Sequence, residues 1–213
     1  MKTVLAFGDS LTWGYDPEGL GRHDRENRWP VALGAGLAGA AEVIAEGQNG
    51  RTTAFDDHLG EADRNGARIL PVLLTSHKPL DLVVIMLGTN DLKPATAGPA
   101  VAARQGMEKL ASLVRKHDWS PGASAPGVLI VSPPPFCKTE NAVFAAMFDA
   151  QIEESRKLAG YYADLARDLD CGFFDAGSVA ETSPLDGIHL DARNTRAIGK
   201  ALVAPVARML EMR

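Results

Sequence analysis

The chain has 213 residues, 46% hydrophobic and 23% charged, with 27 acidic against 22 basic side chains and a formal net charge of −5. That composition excludes a collagen-like, coiled-coil or disordered chain. The acidic balance argues against general nucleic-acid or anionic-membrane binding, so a small molecule is the expected ligand.

Residues 3–7 are a short apolar run ending at Gly8 and read as a buried strand. Residues 30–37 begin a small-residue helix, 42–45 a second strand and 68–77 a short helix. Residues 80–87 are the strongest strand, a β-branched run closed by Gly88. Residues 97–117 place Val101, Met107, Leu110, Leu113 and Val114 near helical spacing. Residues 128–131 form a strand halted by Ser132 and three prolines, and 141–169 read as one long helical segment. A short strand at 172–174 and a final helix at 191–212 complete the pattern. Five strands alternating with helices predict right-handed crossovers and a parallel sheet covered on both faces. A single domain over 1–213 is expected from the length.

No apolar stretch approaches the ~18–20 residues of a membrane span. The opening run leads straight into Gly8, Asp9 and Ser10 rather than to a cleavage site, so a cytoplasmic protein is expected. Cys137 and Cys171 are too few for a disulfide framework and lack metal-ligand spacing, so buried free thiols are expected. Asp56, Asp57, Glu61 and Asp63 form no convincing metal set. No metal and no cofactor are expected.

In α/β sheets, ligands bind beyond the carboxyl ends of the strands. The chemically capable residues of this chain follow strand ends: Gly8-Asp9-Ser10-Leu11, Gln48-Asn49-Gly50-Arg51, Gly88-Thr89-Asn90-Asp91 and Asp186-Gly187-Ile188-His189. A serine hydroxyl is a poor nucleophile without a neighbouring base. His189 is suited to take its proton and return it to a leaving group, and Asp186, three residues earlier, to orient the imidazole. Taken singly, each residue has a plainer reading. Ser10 would cap a helix, His189 would sit in a surface loop, Asn49-Gly50 would make a turn, and Asn90 would cap the segment after its strand. Asp9 and Asp91 are read as turn-fixing carboxylates that accept backbone hydrogen bonds.

The four motifs, in this order and over nearly the whole chain, resemble the SGNH hydrolases, also called the GDSL esterase/lipase family. The aspartate-to-histidine spacing alone is weak, since it occurs by chance in roughly a quarter of such chains; order and placement make the set specific. The resemblance implies a three-layer α/β/α, flavodoxin-like fold with a central five-stranded parallel sheet. It also implies a catalytic triad of Ser10, Asp186 and His189, and an oxyanion hole from the N–H of Ser10, the N–H of Gly50 and the side chain of Asn90.

The segment after Ser10 is similar to the arylesterase and acyltransferase branch. Trp13 and Tyr15 are close enough to Ser10 in sequence to line its pocket, or else to anchor the loop; Ile188, with Phe136 and Phe144, would supply an apolar wall. The expected activity is hydrolysis of short-chain acyl esters of aryl or simple alcohols through an acyl-enzyme, with acyl transfer or perhydrolysis if water is partly excluded. Alternatives are a carbohydrate acetylesterase, a lysophospholipase or thioesterase, and, from a different class, a catalytically silent flavodoxin-like binding module. Residues 16–29 and 56–65 exceed the usual ~2–6-residue connection. With Arg22, Arg25, Arg28 and Trp29 in the first of them, a homo-oligomer is expected, against the alternative of a solvated loop.

Overall fold

The computed structural model describes residues 1–19, 21–119 and 124–211. Strand β1 (Lys2–Gly8) leads into a single helical turn, α1 (Ser10–Trp13), and a small antiparallel hairpin of β2 (Tyr15–Asp16) and β3 (Gly21–Arg22). There follow α2 (Trp29–Gly36), β4 (Ala41–Gly47), α3 (Gly66–His77), β5 (Leu82–Met86), α4 (Ala100–Lys116) and β6 (Gly127–Ser132). The chain continues through α5 (Ala142–Phe148), α6 (Ile152–Asp168), β7 (Gly172–Asp175) and α7 (Ala192–Met209). The large sheet has five parallel strands in the order β4-β1-β5-β6-β7.

All five residues of β5 are buried, because alternate side chains enter opposite cores. Val83 and Ile85 join Leu5, Phe7, Leu70, Leu74, Leu110 and Tyr162 on one face. Val84 and Met86 join Val4, Ala6, Trp29, Leu33, Ile198 and Leu202 on the other. The helices therefore cover both faces, as the alternation of elements predicts. Because β4 and β5 lie on opposite sides of β1, the order reverses at β1 and opens a crevice above its carboxyl end. Gly8 closes β1 there; a Cβ at this position would lie 2.7 Å from the Met86 carbonyl oxygen.

Several expectations need correction. The segment 141–169 is two helices, not one, with the break at residues 149–151. Neither Gly nor Pro occurs between 142 and 159, so local propensity does not cause the break. Phe148 leaves helical geometry (φ −130°) and buries its ring edge-on to Phe136 at 5.3 Å, and this tertiary anchor overrides propensity. The cysteines are free but half-buried. Trp29 is no surface residue: it is fully buried, with its backbone N–H donating to Thr195 Oγ1 (3.2 Å) and its indole N–H to Thr12 Oγ1 (3.3 Å). The loop before it folds back on its own chain, where buried His23 bonds through Nε2 to the Leu190 carbonyl at 2.8 Å. The end of the last helix assigned to residue 212 lies outside the described residues. No helix among the described residues is long and apolar enough to cross a membrane.

Candidate active site

Asp9, not Ser10, caps α1: its Oδ1 accepts the Leu11 N–H at 3.0 Å. Relieved of capping, Ser10 becomes the first helical residue, and its Oγ lies 3.0 Å from His189 Nε2. His189 Nδ1 lies 2.6 Å from Asp186 Oδ2. The other carboxylate oxygen, Oδ1, accepts the N–H groups of Ile188 (3.1 Å) and His189 (2.9 Å), so the four-residue turn locks its own geometry. Burial alone would raise the Asp186 carboxyl, but the hydrogen bonds from the imidazole and the two amides outweigh it and hold the group below its ordinary range. An ionised carboxylate only accepts, so Nδ1 carries the proton and Nε2 turns its lone pair to the serine hydroxyl. All three residues are buried; His189 is no surface histidine. Tyr15 packs on the imidazole at 4.1 Å between centroids, and Phe144 meets it edge-on at 5.9 Å.

The turn after β4 faces the same hydroxyl. Gly50 adopts φ +81°, a left-handed conformation, and a Cβ there would stand 2.6 Å from Arg64 Nε. The turn reading of Asn49-Gly50 describes this backbone. Neither the Ser10 nor the Gly50 N–H finds an acceptor among the described residues. Asn90 Nδ2 donates to the Arg51 carbonyl at 3.1 Å, and its other contact, to Asp9 Oδ2, is long at 3.4 Å. One N–H of this amide is therefore anchored and the other only loosely held.

Sequence reasoning assigned no role to Arg51, which is 4% exposed. Its guanidinium donates to the carbonyls of Gly8 (2.8 Å) and Glu46, and to Gln48 Oε1 (3.1 Å), over the face of Phe7. It ties the ends of β1 and β4 together. Burial lowers its pKa to about 10, leaving it charged at neutral pH. Asp91 is not a local turn residue as expected. Its carboxylate accepts the Thr53 N–H (3.1 Å) and hydroxyl across 38 residues, a partnership that no sequence spacing signals.

A cavity of about 200 Å³ opens over Ser10, Gly50, Asn90 and His189. Tyr15 and Ile188 line it as expected, with Phe144. Trp13 is not among its lining residues: the Arg22 guanidinium covers its ring at 4.8 Å, so it anchors the hairpin. Phe136 is buried behind Phe148 instead of forming the wall. Asn49, from the motif after β4, completes the lining with Arg64, Lys93, Met147 and Phe148, which carried no motif in the sequence. The acidic loop 56–65 is held by arginines: Arg68 reaches Asp56 and Asp63, each at 2.6 Å, and Arg64 reaches Asp57 at 2.8 Å. Among the described residues, no group of three or more His, Cys, Asp or Glu is placed to hold a metal ion.

Two carboxyls flank Asn90 in complete burial. Burial raises Asp9 to about 7, only partly opposed by the Leu11 amide and Arg51, and raises Asp91 to about 6. The folded protein retains protons at these sites that the unfolded chain releases near the ordinary carboxylate value. Their contribution to stability is therefore full below about pH 4 and is lost as pH rises through about 6–7. Asn caps a helix as well as Asp. Asp9→Asn is thus expected to raise Tm by several degrees near about pH 8, with the gap narrowing as pH falls and closing near about pH 4. Thermal unfolding across pH checks this; a gap independent of pH contradicts it.

The profile of the GDSL-like lipase/acylhydrolase family matches residues 6–196. The fold is similar to the crystal structure of a carbohydrate acetylesterase family member from Sinorhizobium meliloti (59% identity, 100% of both chains, TM-score 0.98). It is also similar to a protein from Agrobacterium tumefaciens assigned as an arylesterase (56%, 98% of this chain and 100% of that one, 0.94) and to the Mycobacterium smegmatis aryl esterase, "M. Smegmatis Aryl Esterase" (40%, 98% and 100%, 0.93). Among curated proteins no sequence matches. With the family's motifs on the rim of its sheet and its profile spanning most of the length, the chain belongs to the GDSL-like lipase/acylhydrolase family.

Proposed function

We propose that the protein is a serine esterase acting on short-chain acyl esters of aryl or simple alcohols, built as one domain over 1–213. The observation that carries this is the buried Ser10–His189–Asp186 hydrogen-bond chain, with distances of 3.0 and 2.6 Å, beside unspent backbone donors. Ser10 Oγ attacks the ester carbonyl carbon while His189 Nε2 takes its proton. The carbonyl oxygen gains the electron pair and is met by the N–H groups of Ser10 and Gly50 and the loosely held N–H of Asn90. Collapse re-forms the carbonyl and breaks the bond to the alcohol oxygen, which leaves with the proton from Nε2. Water then attacks the acyl-serine by the same route, and the carboxylic acid and free serine result.

The volume of about 200 Å³ falls below the roughly 300–1,000 Å³ of sites for drug-sized ligands, which supports short acyl groups. Rates on p-nitrophenyl acetate, butyrate and octanoate test this: acetate is expected to lead by kcat/KM and octanoate to be poorest, and a rising preference with chain length sinks it. Carbohydrate deacetylation is the second reading. It is favoured by the 59% identity to a carbohydrate acetylesterase family member and tested on acetylated xylose.

The aromatic cover of Tyr15 and Phe144 on His189 favours acyl transfer to alcohols or peroxide in competition with water. A homo-oligomer is supported by the exposed Arg22 and Arg25 in the segment before α2, since interfaces enrich arginine. Light scattering after size exclusion is expected to give a multiple of 22.6 kDa, and a mass at that value contradicts assembly.

A further inference from the structure

A second cavity, about 600 Å³, adjoins the first; Arg64, Lys93 and Met147 line both. Its remaining walls include Asp57, His58 and Thr96 and the apolar Leu59, Pro94 and Ala146. Arg64 donates to Asp57 at 2.8 Å, and Lys93 Nζ lies 3.6 Å from the same carboxylate. The neighbouring Asp56 is already engaged by Arg68 at 2.6 Å. Two cations therefore share one anion at the boundary of the two cavities, with the Lys93 side chain only 18% exposed. Arg64 also packs directly on the Gly50 turn, so this charge sits beside the reaction centre.

We propose that Arg64 and Lys93 form a subsite for an anionic substituent, a carboxylate, on the alcohol half of the ester. This rests on the esterase reading above. The smaller cavity, which contains Ser10, Gly50 and Asn90, holds the ester group and a short acyl chain; the larger one is left for the alcohol half. An acyl chain crossing the boundary between the cavities would desolvate Arg64 and Lys93 without replacing their partners. A carboxylate supplies the missing counter-ion, and charge-assisted hydrogen bonds are the strong ones. Burial already pushes the Lys93 ammonium below its usual pKa, with Asp57 opposing only in part, which fits a cation short of negative partners.

The test compares 4-acetoxybenzoate with its methyl ester, using the full chain. The methyl ester is the more electron-withdrawing leaving group, so a preference for the carboxylate reports binding. The native protein is expected to favour the carboxylate by about tenfold in kcat/KM, chiefly through KM. Lys93→Met is expected to bring the ratio of the two substrates to near one. Asp57→Asn, which removes the competing carboxylate, is expected to raise that ratio above the native value. A native ratio at or below one, or a ratio unmoved by both substitutions, overturns the subsite while leaving the esterase intact. Failure to hydrolyse either ester refutes the esterase reading itself.

Discussion

Ser10→Ala is expected to lower kcat on p-nitrophenyl acetate by about 10⁴–10⁶-fold, the scale seen when a serine nucleophile of this kind is removed. The hydroxyl lies 3.0 Å from His189 Nε2, and no other hydroxyl among the described residues bonds that nitrogen. Asp9 holds the turn by capping α1, so the substitution leaves the backbone of the site and its unspent amides in place. Thermal stability should therefore change little while turnover collapses. Burst and steady-state kinetics on one preparation check this. A residual rate above about a tenth of native contradicts the assignment of Ser10 as nucleophile.

The second large effect is expected at Asn90. Losing one donor to a developing oxyanion typically costs about 10²–10³ in kcat. Asn90→Ala removes the N–H that Asp9 holds only at 3.4 Å and leaves the Arg51 carbonyl without that donor. Because the oxyanion exists only after attack, kcat and kcat/KM should fall together, with KM within a few-fold of native. A rise in KM at constant kcat would instead assign Asn90 to ground-state binding.

Three of the five sheet strands were legible because their runs stop at Gly8, Gly47 and Gly88, and Ser10, Gly50 and Asn90 were legible because they follow those stops. Ser10, Gly50, Asn90 and the Asp186–His189 pair converge on one rim because parallel strands deliver their carboxyl ends to the same side. The break after Phe148 was not legible, since it depends on a ring docking against Phe136, which lies outside both helices. Nor was the Arg51 clamp, whose acceptors at the two strand ends are backbone carbonyls and carry no residue signature. Trp29 misled because Arg and Trp in one stretch suit an interface, whereas its indole found Thr12 inside the core. Arg64 and Lys93 belong to no sequence motif and became cavity walls only once the loop after β4 and the segment after β5 lay side by side.

The central claim is that His189, held by Asp186, activates Ser10 to form a covalent acyl-enzyme. Labelling with a fluorophosphonate, followed by peptide mass spectrometry, tests it most directly. The account predicts rapid, stoichiometric modification on Ser10 alone, absent in Ser10→Ala and strongly slowed in His189→Ala. Modification at another residue, or a native protein that does not label, would contradict it.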